Sequence, residues 1–279
     1  MEIRKGLDLP TTFPTGKEII DRLIHMGLAS CLPVEVHGEP SKDSPSKEFI
    51  LFGIRESREP EIEPVELLQA YNQKGVICFF SALSYYDLTT QVPVHHHIAS
   101  LIHPTGTANV DAREPSSTSP DREIEPGRSR LGTHAFTYMG VPFYSIKRAA
   151  NTIPGIKTRI VSGRTNIRIS TVEQTLLDTL QYPLHCGGPE VVFEAWKRYS
   201  GQLDEDLMSD YLRRIKIDPL IRRAGAMLDL LGHSPGKNLR SFLEESRDRI
   251  FGLEEVPTIP LLRGINLPRP DRSWNVLTP

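Results

Sequence analysis

Hydrophobic positions along the chain follow a helical period, then alternate, then return to a helical period. Ile19, Ile20, Leu23 and Ile24 follow Pro14-Thr15-Gly16 at helical spacing and predict a helix over Lys17–Met26, closed by Gly27. The apolar runs Leu28–Val36 and Phe49–Ile54 flank the tip GEPSKDSPSK and predict the two strands of a hairpin. A helix followed by a hairpin is the second half of a winged helix-turn-helix, whose helix enters the major groove of DNA. A complete winged helix needs two more helices upstream, so an abbreviated, winged-helix-like unit is expected over residues 1–56. A small α+β cap is the other reading of the same pattern.

After the Glu/Pro-rich linker Glu56–Pro64, helices are predicted at Val65–Gln73 and Cys78–Leu88, and a buried strand at Val94–Leu101. His103–Arg130 holds almost no aliphatic residue and is expected to be a flexible insertion, with too little apolar surface to offset the entropy of ordering. Four β-type runs follow at Thr133–Tyr138, Val141–Ile146, Ile156–Val161 and Asn166–Ile169, suggesting a meandering antiparallel sheet. Ser170-x-x-Glu173 and Thr171-x-x-Gln174 both fit a capping box before an apolar face of Val172, Leu176, Leu177 and Leu180. Further helices are predicted at Pro189–Tyr199, Asp204–Ile215, Pro219–Leu231 and Asn238–Arg249, before an extended, Pro-rich end. The expected fold class is α+β. The winged-helix-like unit precedes a mixed α/β domain over 64–279, with an antiparallel sheet and a C-terminal helical portion.

Charge changes this picture locally. The net charge of -2 over 279 residues excludes a polybasic nucleic-acid binder. Yet residues 126–172 carry eight basic and no acidic side chains, so one segment concentrates cations that could grip DNA phosphates, dock an acidic partner, or simply be solvated. Phe136, Tyr138, Phe143 and Tyr144 interleave with it, as in interfaces rich in Arg and Tyr. Cys31, Cys78 and Cys186 lie far apart and fit reduced thiols better than a disulfide or zinc framework. No apolar run approaches the roughly 18–20 residues of a membrane span. The first residues lack the apolar core of a secretion signal, so a cytoplasmic protein is expected.

Enzyme motifs fall short. Gly232-His-Ser-Pro-Gly236-Lys237-Asn238 is one residue short of a phosphate-binding loop and ends in Asn where Ser or Thr would hold magnesium. Asp204-Glu205-Asp206 has the Asp-x-Asp spacing of a two-metal site, but it stands at a predicted helix start, where acids favour the dipole. In His95-His96-His97 alternation lets only His95 and His97 share a strand face, and no further ligand stands at a supporting spacing. Glu173 and Asp178, five apart, do not share a helical face and make a poor acid/base pair. No catalytic residue, metal or cofactor is expected.

Three ordered blocks resemble the AbiEi family of antitoxins and transcriptional regulators from abortive-infection toxin–antitoxin systems. Ser81-Ala-Leu-Ser-Tyr-Tyr-Asp-Leu-Thr-Thr-Gln-Val-Pro93 is similar to the family's helix-and-strand element. Ser170-Thr-Val-Glu-Gln-Thr-Leu-Leu-Asp178, with Gly187-Gly188 and Glu190-Val191 downstream, resembles its capped helix. Arg222-Arg-Ala-Gly-Ala-Met-Leu-Asp-Leu-Leu-Gly232 resembles a third helix. The resemblance implies an N-terminal winged helix that represses its own operon and a C-terminal domain that opposes a nucleotidyltransferase-like toxin. Gln174 stands where the family usually has Arg, so any salt bridge made by that arginine is lost here.

Operator DNA and such a toxin are therefore the expected partners, with no membrane. Lys17, Arg22, Lys42 and Lys47 are the candidate DNA contacts. Lys147, Arg148, Lys157, Arg159, Arg164 and Arg168 are the candidate basic surface for DNA or the partner protein. The alternatives are a degenerate nucleotidyltransferase or nuclease using Asp204 and Asp206, and an interaction adaptor without DNA binding.

Overall fold

A computed structural model of the chain describes residues 16–37, 49–52, 62–103, 128–129, 131–162, 165–252 and 256–279. The hairpin tip with Lys42 and Lys47, most of the acidic linker, nearly all of the expected insertion, and Arg164 lie outside the described residues. The first helix, α1 (Gly16–His25), forms at its expected place. The apolar run after it does not make one strand. Proline lacks the amide that a ladder needs, and the break at Leu32-Pro33 leaves two short pieces. β1 (Ala29–Cys31) pairs antiparallel with β3 (Ile50–Phe52). β2 (Val34–Val36) leaves this hairpin and pairs antiparallel with a strand of the main sheet. The Phe49 ring lies 4.9 Å from Phe136, so the N-terminal unit is stitched to the body by both backbone and core.

The main sheet holds β4 (Val76–Ile77), β5 (His96–Ile102), β6 (Arg128–Ser129), β7 (Gly132–Tyr138), β8 (Val141–Ala149), β9 (Ile156–Val161) and β10 (Thr165–Ser170). Its order is β2-β7-β8-β5-β4-β10-β9, with β6 beside β7. It is not the expected meander. β5 runs parallel to β8, and β4 parallel to β10, between hairpins that are antiparallel. Strands buried on both faces belong at the centre of a sheet. β4 and β5 qualify: Ile77, Ile98 and Ala99 are fully buried, with Ile98 and Ala99 facing opposite sides.

The helix α2 (Pro64–Tyr71) covers one face, where Leu68, Ile98, Phe136, Phe143, Ile167 and Ile169 form a core. On the other face α3 (Phe80–Tyr85) leads to a layer of α4 (Val172–Gln181), α5 (Pro189–Tyr199), α6 (Glu205–Ile215), α7 (Asp218–Leu230) and α8 (Lys237–Phe251). α4 is the hub, buried from Val172 to Leu180. Of its two possible caps Thr171 serves, its hydroxyl accepting from the Gln174 amide at 3.3 Å, while Ser170 ends β10. Trp196 is fully buried and its indole N–H donates to the Thr179 hydroxyl at 3.0 Å.

The Pro-rich end is a small sheet of order β11-β13-β12, from β11 (Ile259–Pro260), β12 (Arg269–Asp271) and β13 (Val276–Thr278). Arg222 fastens it to α7 by donating to the carbonyls of Trp274 (2.9 Å) and Pro257 (2.8 Å). Gly225 makes room for the indole: a Cβ there would stand 2.3 Å from Trp274. Gly225→Ala is therefore expected to lose about 1–3 kcal/mol by overpacking. A lowered melting temperature with a red shift of tryptophan emission would show it, and unchanged values would mean that the indole can move aside. No helix among the described residues is long and apolar enough to cross a membrane.

Candidate functional site

The basic segment divides among three environments. Along β8, alternation turns Tyr144, Ile146 and Arg148 toward the helical layer and Lys147 the other way. Arg148 is consequently 5% exposed, which removes it from the candidate surface. Its guanidinium clasps Asp178 of α4 with both terminal nitrogens, at 2.6 and 2.8 Å. Burial alone would favour losing a proton, but the Asp178 carboxylate outweighs it and raises the arginine's pKa further. Gln174 also donates to Asp178, at 2.9 Å. Asp178 thus has a guanidinium partner delivered from β8 and an amide partner from its own helix.

Lys147 is exposed on the α2 face of the sheet. Lys157 and Arg159 share that face on β9, opposite Ile169 and Ile167 of β10. The Lys157 ammonium lies 5.1 Å from the centre of the Tyr86 ring, and its pKa is lowered by partial burial and then by Arg159. Arg159 is exposed. Arg168 pairs with Thr158 on the opposite face, where its guanidinium donates to the Lys74 carbonyl. Neither Lys147, Lys157 nor Arg159 forms an ion pair with a carboxylate among the described residues. The candidate surface thus reduces to a cationic outer strand with Lys147 standing apart on β8.

On α1, Lys17 and Arg22 are exposed and share the helix with Glu18 and Asp21, so this helix is mixed in charge. No residue of α1 is buried; its row of Ile19, Ile20, Leu23 and Ile24 is half-buried.

The histidines are core. His95 and His97 do share a face, their rings 4.9 Å apart, with His185 5.2 Å from His97 and Tyr144 stacked at 5.6 Å. His96 points to the other side and stacks on Phe143 at 4.8 Å. Burial, and then the charge of neighbouring histidines, lowers the pKa of His96 and His185 to about 4. His97 lies well below its usual range for the same reasons, and its Nδ1 has no hydrogen-bond partner. Among the described residues, no three His, Cys, Asp or Glu side chains converge on a metal-sized site.

The two near-miss motifs satisfy each other. Asp204 caps α6 by accepting from the Leu207 amide at 3.0 Å. Glu205 bonds His233 at 2.8 Å and takes the Gly236 amide at 2.6 Å, while Asn238 donates to Asp206 at 2.9 Å. A carboxylate of the chain itself thus occupies the amide that a phosphate loop would offer. The same turn, Gly232-His-Ser-Pro-Gly236, also has the Gly-x-Ser-x-Gly spacing of a hydrolase elbow. An elbow needs a strand before the serine and strained backbone at it. Here a helix precedes it, and Ser234 is not among the residues with positive φ. Phe79 has the strand-to-helix setting and the strain, with φ 57° and ψ -133°, but it offers a fully buried ring in place of a nucleophile.

A groove of about 580 Å³ lies among α6, α7 and α8, lined by Leu212, Arg213, Asp218, Phe242 and Arg249. Three of its charges are engaged: Arg249 holds Asp218 at 2.6 Å and Arg213 lies over Phe242. Sequence reading missed His185, whose signal is only its place beside Gly187-Gly188. It also missed the inward aim of Arg148, which the alternation from Phe143 onward contained.

No family model matches the chain, and no curated protein matches it.

Proposed function

We propose that the chain is a non-catalytic regulator of the AbiEi antitoxin kind, with DNA contacts from its N-terminal unit and a body that opposes a nucleotidyltransferase-type toxin. One observation carries this reading: the three blocks that resemble the family meet in a single buried layer. Tyr86 of the first block donates to the Ser170 carbonyl of the second at 2.8 Å. Leu176, Leu177 and Leu180 of α4 share a core with Ala224, Met227 and Leu228 of the third. Gly187 and Gly188, with φ 91° and 96°, make the turn into α5, and a Cβ on Gly187 would stand 2.8 Å from Phe80.

The candidate groups Asp178, Asp204, Glu205, Asp206 and His95 to His97 are engaged in caps, hydrogen bonds, an ion pair and core, which accords with binding as the mode of action. Co-expression with a nucleotidyltransferase-type toxin tests the antitoxin part: growth restored by this chain supports it, and undiminished toxicity contradicts it.

For the DNA part, each phosphate neutralised adds roughly 0.9 to the slope of log K against log salt. With a duplex from upstream of the gene, changing both Lys17 and Arg22 to Ala is expected to flatten that slope by about 2. An unchanged slope with intact folding removes α1 from the DNA interface.

A further inference from the structure

We infer that β9 is a docking edge that accepts an acidic, extended segment of a partner protein as an added strand. This rests on reading the chain as a binding protein and names where and how the partner sits. β9 is the last strand of the main sheet, and among the described residues only β10 pairs with it.

The direction of its free backbone groups follows from register. Antiparallel pairs alternate between those that exchange hydrogen bonds and those that do not. The Arg168 amide donates to the Gln69 side chain at 2.6 Å, away from β9, so its pair with Thr158 is of the second kind. By alternation so are Ile160 with Asn166 and Ile156 with Ser170. The N–H and C=O groups of Ile156, Thr158 and Ile160 therefore point outward, where a further strand would pair.

The side chains fit that use. Thr158 and Arg159 are exposed, and Ile160 is 68% exposed on a strand whose register with β10 is unbroken. Natural edges are commonly blunted by proline, bulges or charge. β9, reading Ile-Lys-Thr-Arg-Ile-Val, has only the charge. Lys157 and Arg159 on one face repel a second copy of the same edge and attract carboxylates at alternate positions of a different strand. On the other face Thr158 and Ile160 offer β-branched surface to the residues between. The segment that fits alternates acidic and β-branched residues, and backbone pairing supplies the affinity.

The probe is a labelled Thr-Val-Glu-Val-Glu-Ile-Thr peptide, followed by fluorescence anisotropy on the full chain. Three comparisons use a Lys-for-Glu peptide, a peptide N-methylated at alternate residues, and a 20-base-pair duplex. The Glu peptide is expected to bind and the Lys peptide to fail, with the preference reversed in Lys157→Glu/Arg159→Glu. N-methylation, or Ile160→Pro, which removes one outward amide, is expected to weaken binding by about tenfold or more. Should Ile160→Pro unfold, the N-methylated peptide decides alone.

Equal binding of methylated and unmethylated peptides would overturn strand addition. So would no binding of the Glu peptide, duplex binding that depends on Lys157 and Arg159 in its place, or self-association through β9 in sedimentation. None of these would touch toxin neutralisation or DNA contact by α1.

Discussion

Replacing Arg148 with methionine is expected to destabilise the fold by about 3–5 kcal/mol, because it strands the Asp178 carboxylate in the core. Asp178 is held at both oxygens by Arg148, at 2.6 and 2.8 Å, with side chains 4% and 3% exposed. Gln174 retains one hydrogen bond to the carboxylate, but an amide carries no compensating charge. Removing both charges, as Arg148→Met with Asp178→Leu, leaves no ion unpaired and is expected to recover much of the loss. Urea titration of the three variants measures this. A single-variant loss below about 1 kcal/mol would be the behaviour of a solvated pair and would put Arg148 back on the surface.

Acid is expected to weaken the fold well before the carboxylates protonate. An imidazole of the unfolded chain takes its proton near pH 6.5. In the fold His96 and His185 hold off until about 4, chiefly because of burial and then because of His95, with Arg148 adding to the effect at His185. Between those values the unfolded chain binds more protons than the folded one, so stability falls as pH falls. The contribution is complete above about pH 6.5 and lost progressively toward pH 4, at about 3 kcal/mol for each of the two. His95 and His97, also lowered by burial, act in the same direction. His96→Phe, which keeps the stack on Phe143, is expected to remove close to one proton from the slope. Denaturation at pH 7.0 and 4.5 reads it, and equal stability at both would mean that these rings are hydrated.

What the sequence disclosed was local. The Thr171 cap and the apolar face of α4 were legible because both lie within one helical turn or face. So were the following helices, whose proline, acid or glycine boundaries are sequence-local. Sheet order was not legible, because β4 and β5 enter the centre through pairings with strands far along the chain. Cys78–Leu88 read as one helix, but Phe79 turns the backbone through positive φ just after β4, so the helix starts only at Phe80 and ends at Tyr85. Prolines hid the terminal sheet. Pro260 and Pro270 sit in its two outer strands, where a missing amide is tolerated, and the central β13 has none. Of the basic candidates, parity alone separates Arg148 from Lys147, while the carboxylate that captures Arg148 comes from a helix thirty residues away.

Under the proposed function, the chain acts by gripping another macromolecule and transforms nothing itself. Incubating the purified chain with radiolabelled nucleoside triphosphates, RNA and DNA, with magnesium or manganese present, tests it most directly. No turnover above buffer is expected, for the native chain and for Asp204→Asn/Asp206→Asn alike. Metal-dependent conversion by the native chain that disappears in the double variant would contradict it.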